Sequence, residues 1–99
     1  MNMSSIVTVI AKLIVYEAAL ESVKTELLKM IEPTRMEEGC IEYRLHQDNE
    51  DPKVFIFFEM WENLACLERH MTAPHFSSYI AAVEGMIAEK NVHKMTQIA

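Results

Sequence analysis

Residues 40–61 read CIEYRLHQDNEDPKVFIFFEMW and contain two strand signals separated by a turn signal. The first, residues 40–48, alternates apolar and polar side chains, which is typical of a half-buried strand. The cluster Asn-Glu-Asp-Pro at 49–52 favours a turn. The second, residues 53–62, is mostly apolar and rich in aromatic residues, which also favours a strand. Two strands joined by a short polar turn predict a β-hairpin.

The residues before this hairpin predict a strand followed by a helix. Residues 5–16 are rich in valine and isoleucine, which favour a strand. From residue 17 to about residue 37, apolar residues recur every three or four positions with charged residues between them, as in an amphipathic helix. The apolar positions of this helix are Leu20, Val23, Leu27, Met30 and Ile31.

The residues after the hairpin predict a broken helix and a last strand. Asn63 is suited to cap a short helix that runs to about Met71. A Thr-Ala-Pro sequence then interrupts the helix, and Pro74 suits the first turn of the next one. Apolar residues at helical spacing extend that second segment to about Glu89. Residues 91–99 predict a weaker strand.

The predicted order is strand, helix, strand, strand, broken helix and strand. The simplest fold with this order is an α+β sandwich, the ferredoxin-like split βαβ, with one antiparallel sheet and its helices on one face. No linker, repeat or low-complexity segment divides the chain. We therefore expect a single domain over residues 1–99.

Helices on one side of a sheet leave the other side open, and both sides of the first and third predicted strands are apolar. We expect the open face to carry Phe55, Phe57 and Trp61, an apolar patch of the kind that marks an interface or a ligand site. This predicts a homodimer that packs sheet to sheet through the open face, with a cavity in or beside each sheet. The alternative is a monomer whose tail and loops cover that face.

Composition and charge exclude several classes of function. The 99 residues include 15 acidic and 9 basic ones, a net charge of −6, whereas nucleic-acid binding requires a basic face. No apolar run approaches the roughly 20 residues of a membrane span. The chain has only 2 glycines, which excludes a glycine-rich nucleotide loop. Cys40 and Cys66 make no disulfide framework, so we expect a cytoplasmic protein.

The single tryptophan and the histidines are the candidates for chemistry. Trp61 can form the wall of a pocket for a flat aromatic ligand, and the alternative is a tryptophan of the core or the interface. A histidine is the natural general base near neutral pH, and His70 and His46 are the candidates. His70 and His75 are five residues apart across a proline, and no cysteine or further histidine has metal-ligand spacing to them. We therefore expect no metal site.

Five short motifs have a distinctive spacing: EGCIEY at 38–43, QD at 47–48, FEMW at 58–61, LERH at 67–70 and PHF at 74–76. In these motifs the chain resembles the antibiotic biosynthesis monooxygenase family, and within it the small quinol-monooxygenase-like branch. Trp61 and His70 match the family's tryptophan and histidine. The resemblance implies a dimeric ferredoxin-like α+β barrel. Phe57 stands where the anthrone-oxidising branch carries an asparagine.

The resemblance also implies a cofactor-independent monooxygenase that acts on a small aromatic quinol-like substrate, with molecular oxygen as co-substrate and no bound cofactor. Such an enzyme needs an easily oxidised substrate, a base to ionise it and a dry apolar cavity. His70 or His46 is the expected base, with Trp61 beside it. The expected pocket residues are Phe57, Glu59, His75, Phe76 and, to stabilise an oxyanion if its side of the strand faces the cavity, Lys12.

Two other functions use the same cavity. An isomerase of a small carbonyl compound would transfer protons through a histidine and a carboxylate, and it would consume no oxygen. A non-catalytic binding protein for a hydrophobic metabolite would bind its ligand and form no product.

Overall fold

The computed structural model describes residues 5–99, so residues 1–4 of the predicted domain lie outside the described part. The strands are β1 (Val7–Val15), β2 (Cys40–Gln47), β3 (Val54–Trp61) and β4 (Ile87–Met95). The helices are α1 (Leu20–Lys29), α2 (Ile31–Arg35), α3 (Leu64–Met71) and α4 (Pro74–Ala82), with a short 3-10 helix, Glu17–Ala19, before α1.

The four strands form one antiparallel sheet in the order β2-β3-β1-β4. The helices pack on one face of it, and the core lies between them. This is the predicted ferredoxin-like α+β architecture, and the hairpin of β2 and β3 is confirmed. Within the described residues, no helix is long and apolar enough to cross a bilayer.

Helix starts follow local chemistry closely. The Cys66 amide N–H donates to Asn63 Oδ1 at 3.0 Å, so Asn63 is the predicted cap of α3. Pro74 is in the first turn of α4, where a missing N–H is harmless. The long predicted helix at 17–37 is instead divided into the 3-10 turn, α1 and α2.

The boundary between α4 and β4 differs from the prediction. The helix ends at Ala82 rather than near Glu89, and β4 begins at Ile87 rather than at Asn91. Gly85 has a φ of 78°, a left-handed conformation that stops a helix. The apolar spacing that suggested a longer helix continues through this turn because Val83 is buried and Met86 and Ile87 are partly buried against the core.

The prediction for the two faces of the sheet was wrong. Phe55, Phe57 and Trp61 lie under the helices, where they are at most 4% exposed. In the antiparallel register their cross-strand partners are Leu13, Ala11 and Val7, which therefore share that face. The open face carries the alternate residues of both strands, among them Ile10, Lys12, Ile14, Ile56, Phe58 and Met60.

Candidate active site

A cavity of about 90 Å³ lies between the sheet and the helices. Its walls are mostly apolar side chains, and the ionisable residues among them are Tyr43, Glu59, His70, Tyr79 and Lys90. Exposed residues of α3 and β4, Met71 and Val92, line its mouth. A larger outer groove of about 580 Å³ shares Met71, Phe76, Tyr79 and Lys90 with the cavity, so the two are adjacent.

His70 is the central polar group of this site. Its imidazole is 3% exposed, and its Nδ1 lies 2.6 Å from Oε2 of Glu37. Because a carboxylate only accepts, Nδ1 carries the proton of this hydrogen bond, and the neutral ring has its lone pair on Nε2. None of the residues 5–99 forms a hydrogen bond with Nε2. The arrangement leaves a free basic nitrogen on a buried ring in the cavity wall.

Glu37 also binds a second histidine. Nε2 of His75 lies 2.9 Å from the same oxygen, Oε2 of Glu37. Glu37 follows α2, His70 lies in the last turn of α3, and His75 lies in the first turn of α4. The break between α3 and α4 thus brings both imidazoles to one carboxylate.

Aromatic rings hold the His70 imidazole in place. The centroids of Trp61, Phe76 and Tyr43 lie 4.8, 5.1 and 5.6 Å from that of His70. Tyr43 in turn stacks on Phe57, with centroids 4.9 Å apart. Such contacts restrict the ring to one orientation and keep water away from it.

Glu59 is a buried acid in the apolar wall. It is 5% exposed, and its Oε1 accepts from the indole N–H of Trp61 at 3.0 Å. Burial raises the pKa of Glu59 to about 7, against the opposing effect of the Trp61 hydrogen bond. The carboxyl is therefore able to hold or release a proton near neutral pH.

Burial also shifts the pKa values of other groups that line the cavity. Desolvation lowers the pKa of His70, and the hydrogen bond from Nδ1 to Glu37 opposes this shift. Burial also raises the pKa of Tyr79 to about 12. The imidazole of His70 and the phenol of Tyr79 are therefore uncharged at neutral pH, whereas Glu59 and Lys90 bring ionisable groups to the same cavity.

The predicted site residues separate into three groups. His70, Phe57, Glu59 and Phe76 line the cavity. Trp61 and His75 lie outside the lining. Trp61 donates to Glu59, which is part of the lining, and His75 shares the Glu37 carboxylate with His70.

The third group lies on the opposite side of the sheet. Lys12 pairs with Ile56 on β3, as does His46 from β2, so both belong to the open face. Both are exposed. The condition on which Lys12 was expected to stabilise an oxyanion is not met, because its side of the strand faces away from the cavity.

Sequence reasoning missed Glu37 and Tyr43 as parts of the site. Glu37 is 33 residues from His70 and 38 from His75, so no local spacing connects them. Tyr43 belongs to the EGCIEY motif, and its inward position on β2 follows from the alternation of that strand. The EGCIEY motif was the available signal for Tyr43. Glu37 lies immediately before this motif and is not part of it.

Comparison with known proteins assigns the chain to a family. The family model described as antibiotic biosynthesis monooxygenase matches residues 6–82. The "Probable quinol monooxygenase YgiN" of Escherichia coli is 30% identical over 80 residues, which are 73% of this chain and 77% of that protein. Rv0793 of Mycobacterium tuberculosis is 35% identical over 81 residues, 82% of this chain and 79% of that one. The chain spans about half, 47%, of a further relative, the uncharacterised protein sll1783 of Synechocystis, at 36% identity.

Solved structures agree with this assignment. PA3566 of Pseudomonas aeruginosa superposes with a TM-score of 0.93 at 31% identity, and the match covers 100% of both chains. A structure described as an antibiotic biosynthesis monooxygenase superposes with a TM-score of 0.89 at 28% identity, over 94% of this chain and 99% of that one. From sequence and fold together, the chain belongs to the antibiotic biosynthesis monooxygenase family.

Proposed function

We propose that this chain is a monooxygenase that uses dioxygen without a bound cofactor to oxidise a small aromatic quinol. The observation that supports this most directly is His70, a buried imidazole in the wall of an apolar cavity. Glu37 holds one of its nitrogens, and no described residue binds the other. An oriented base in a dry site is what ionisation of a quinol requires.

The reaction starts with proton transfer. Nε2 of His70 takes a proton from a quinol hydroxyl, and the Glu37 carboxylate stabilises the resulting imidazolium through Nδ1–H. The quinolate gives one electron to dioxygen, and the resulting radical pair combines at a neighbouring ring carbon to form a C–O bond. The imidazolium then protonates the peroxide.

The second half of the reaction releases water. His70 removes the hydrogen of the oxygenated carbon while the O–O bond breaks, which leaves a carbonyl on the ring and a hydroxide. The hydroxide takes the proton back from His70. In sum, one quinol and one O2 give one hydroxyquinone and one water, so no external reductant is needed.

The dimensions of the site indicate how such a substrate binds. The inner cavity of about 90 Å³ is below the roughly 300–1,000 Å³ usual for ligand pockets. We infer that the reacting ring occupies the inner cavity against Phe57 and Phe76, and that the rest of the molecule extends into the outer groove. We infer that the carboxyl of Glu59, which also lines the cavity, hydrogen-bonds the second oxygen of the ring.

Oxygen uptake tests this function. Purified protein freed of metal by a chelator is supplied with benzoquinols and naphthoquinols, and chemical autoxidation is subtracted. We expect enzyme-dependent uptake that His70→Gln lowers by roughly 10²–10⁴-fold, the usual contribution of general base catalysis, and that Glu37→Gln also lowers because the imidazolium loses its carboxylate. Glu21→Gln, a change at an exposed acid of α1, serves as the control.

Other outcomes identify the alternatives. Product formation without oxygen uptake would replace this function by isomerisation. Saturable quinone binding without product would leave a binding protein. Equal uptake in wild type and His70→Gln, with an unchanged fold, would remove His70 as the base.

We also propose that two copies pack through their open sheet faces to form a dimeric α+β barrel. The centre of this face is apolar, with Ile10, Ile56, Phe58 and Met60 all incompletely buried in the single chain. An apolar sheet face of this kind favours a self-complementary contact between identical copies.

A further inference from the structure

We propose that Glu37, His70 and His75 form a binding site for a divalent transition-metal ion of the zinc type, behind the cavity wall. The candidate ligand atoms are Oε2 of Glu37, Nδ1 of His70 and Nε2 of His75, which all lie within 4.8 Å of one another. Two imidazole nitrogens and a carboxylate oxygen are a donor set that such ions accept. No metal site was predicted from the sequence, because that prediction used only the spacing of the histidines and cysteines and did not consider Glu37.

The geometry of the three groups supports binding of an ion. Each imidazole already directs one nitrogen at the same carboxylate oxygen, at 2.6 and 2.9 Å. An imidazole nitrogen uses the same in-plane direction for a hydrogen bond and for a metal bond. The two nitrogens therefore already point toward one place, as they would around a bound ion. Zinc lies about 2.0–2.2 Å from such ligands, and a small outward movement of the carboxylate makes room for it.

The charge of the cluster also supports the binding of a metal ion. The Glu37 side chain is only 16% exposed, and the two histidines are its sole ion-pair partners among residues 5–99. No lysine or arginine of that range neutralises it. Buried carboxylates are usually paired or bind metals, and a divalent ion would supply the missing positive charge.

The position of the cluster indicates what the ion does. His70 lines the cavity, whereas Glu37 and His75 do not. The ion therefore lies on the Nδ1 side of the ring, away from the substrate, and His75, whose side chain is 23% exposed, offers the route from solvent. It does not meet the substrate directly.

The ion acts through the proton of His70. When a metal occupies Nδ1, the neutral ring carries its one proton on Nε2, and Nε2 no longer accepts a proton. A bound ion therefore inhibits the base. This consequence, unlike the binding site itself, rests on the function proposed above.

Metal titration of the full chain tests the site without any substrate. Co²⁺ is added to wild type, His75→Gln and His93→Gln, its visible absorption is recorded, and Zn²⁺ is then used to displace it. We expect one Co²⁺ per chain in wild type and in His93→Gln. In His75→Gln the zinc affinity should fall by at least about 100-fold, because even outer-shell partners of a metal contribute 10–100-fold.

His75 is partly exposed, so circular dichroism is expected to show an unchanged fold in His75→Gln. No saturable binding in wild type, or equal zinc affinity in wild type and His75→Gln, would overturn the site. A loss of binding in His93→Gln would show that an exposed histidine is the ligand instead.

Turnover tests the inhibitory role separately. Stoichiometric zinc should lower quinol oxidation by wild type at least tenfold and leave the residual rate of His75→Gln unchanged. If zinc binds wild type without slowing it, the inhibitory role is wrong. If zinc binds as expected but no quinol is oxidised, the proposed function fails and the metal site stands.

Discussion

Glu59 and Trp61 are two positions apart on β3, and their side chains point to the same face. The indole N–H donates to Glu59 Oε1, which supplies one hydrogen bond to a carboxyl that is otherwise among apolar groups. That hydrogen bond favours the charged form, while burial favours the neutral form, and burial is the larger effect. Trp61 thus adjusts the acidity of Glu59 rather than lining the cavity itself.

Replacing Glu59 by glutamine should change how stability depends on pH. The pKa of Glu59 is raised from 4.5 to about 7 in the folded chain, so the folded state holds this proton more tightly than the unfolded state does. Stability therefore falls as pH rises from about 4.5 through about 7. At about 1.36 kcal/mol per pKa unit, the loss is on the order of 3 kcal/mol.

Glutamine does not titrate and can still accept from Trp61, so Glu59→Gln should lose this part of the pH dependence. Urea unfolding at pH 4, 6 and 8 measures the effect. We expect the difference in the free energy of unfolding, Glu59→Gln minus wild type, to be larger at pH 8 than at pH 4. Glu62→Gln, at an exposed neighbouring acid, is the control, and parallel curves for wild type and Glu59→Gln would contradict the prediction.

The loop between α2 and β2 packs against α3, and this contact determines where Glu37 lies. Gly39 has a φ of 84° there, and an added Cβ would collide with Sγ of Cys66 and lie 2.7 Å from its Cβ. The backbone of this loop therefore approaches α3 as closely as a glycine allows. This contact places Glu37 within hydrogen-bond distance of His70, which lies one turn further along α3.

Alanine at Gly39 should destabilise the fold more than alanine at Gly85. Both glycines have a positive φ, but a Cβ at Gly85 would meet nothing within 4 Å. Gly85→Ala thus reports the conformational cost alone, about 1–2 kcal/mol. Gly39→Ala adds overpacking against Cys66, about 1–3 kcal/mol more. Denaturant unfolding of both variants measures the difference, and equal losses would show that α3 moves away without cost.

Local signals were sufficient for most elements. The alternation in β2, the Asn63 cap and Pro74 each act within a few residues of the backbone that they direct. The end of α4 was harder to predict, because the apolar pattern continues past the helix. There the left-handed conformation of Gly85 decided the boundary.

At the scale of the whole molecule, the sheet has one face under helices and one open face with an apolar centre. Phe58 lies in the middle of the open face, opposite Ile10 on β1 and Arg44 on β2. Polar side chains of β2 border this centre on one side. The proposed dimer would bury the apolar centre between two copies.

A charge at Phe58 should prevent that association. We expect sedimentation equilibrium to give a dimer for the wild type and a monomer for Phe58→Glu, because each copy would have to bring a hydrated carboxylate into an apolar contact and lose its hydration there. Met36→Glu, at a residue that is 84% exposed, should remain a dimer. A monomeric wild type would refute the open-face dimer.

The order of strands and helices, and with it the ferredoxin-like fold, could be derived from the chain alone, because strand and helix periods are local properties. The motif spacing likewise indicated the family that the comparisons support. His70, the predicted base, lines the cavity together with Phe57, Glu59 and Phe76, and the roles expected of these four residues stay predictions.

Two features needed the tertiary structure. Strands that are apolar on both sides carry no period-2 signal for which side faces the helices, so the expected open face was inverted. The second feature is the meeting of Glu37 with His70 and His75. Those contacts depend on how α3 and α4 pack beside the loop that follows α2, and a contact across more than thirty residues leaves no trace in local spacing.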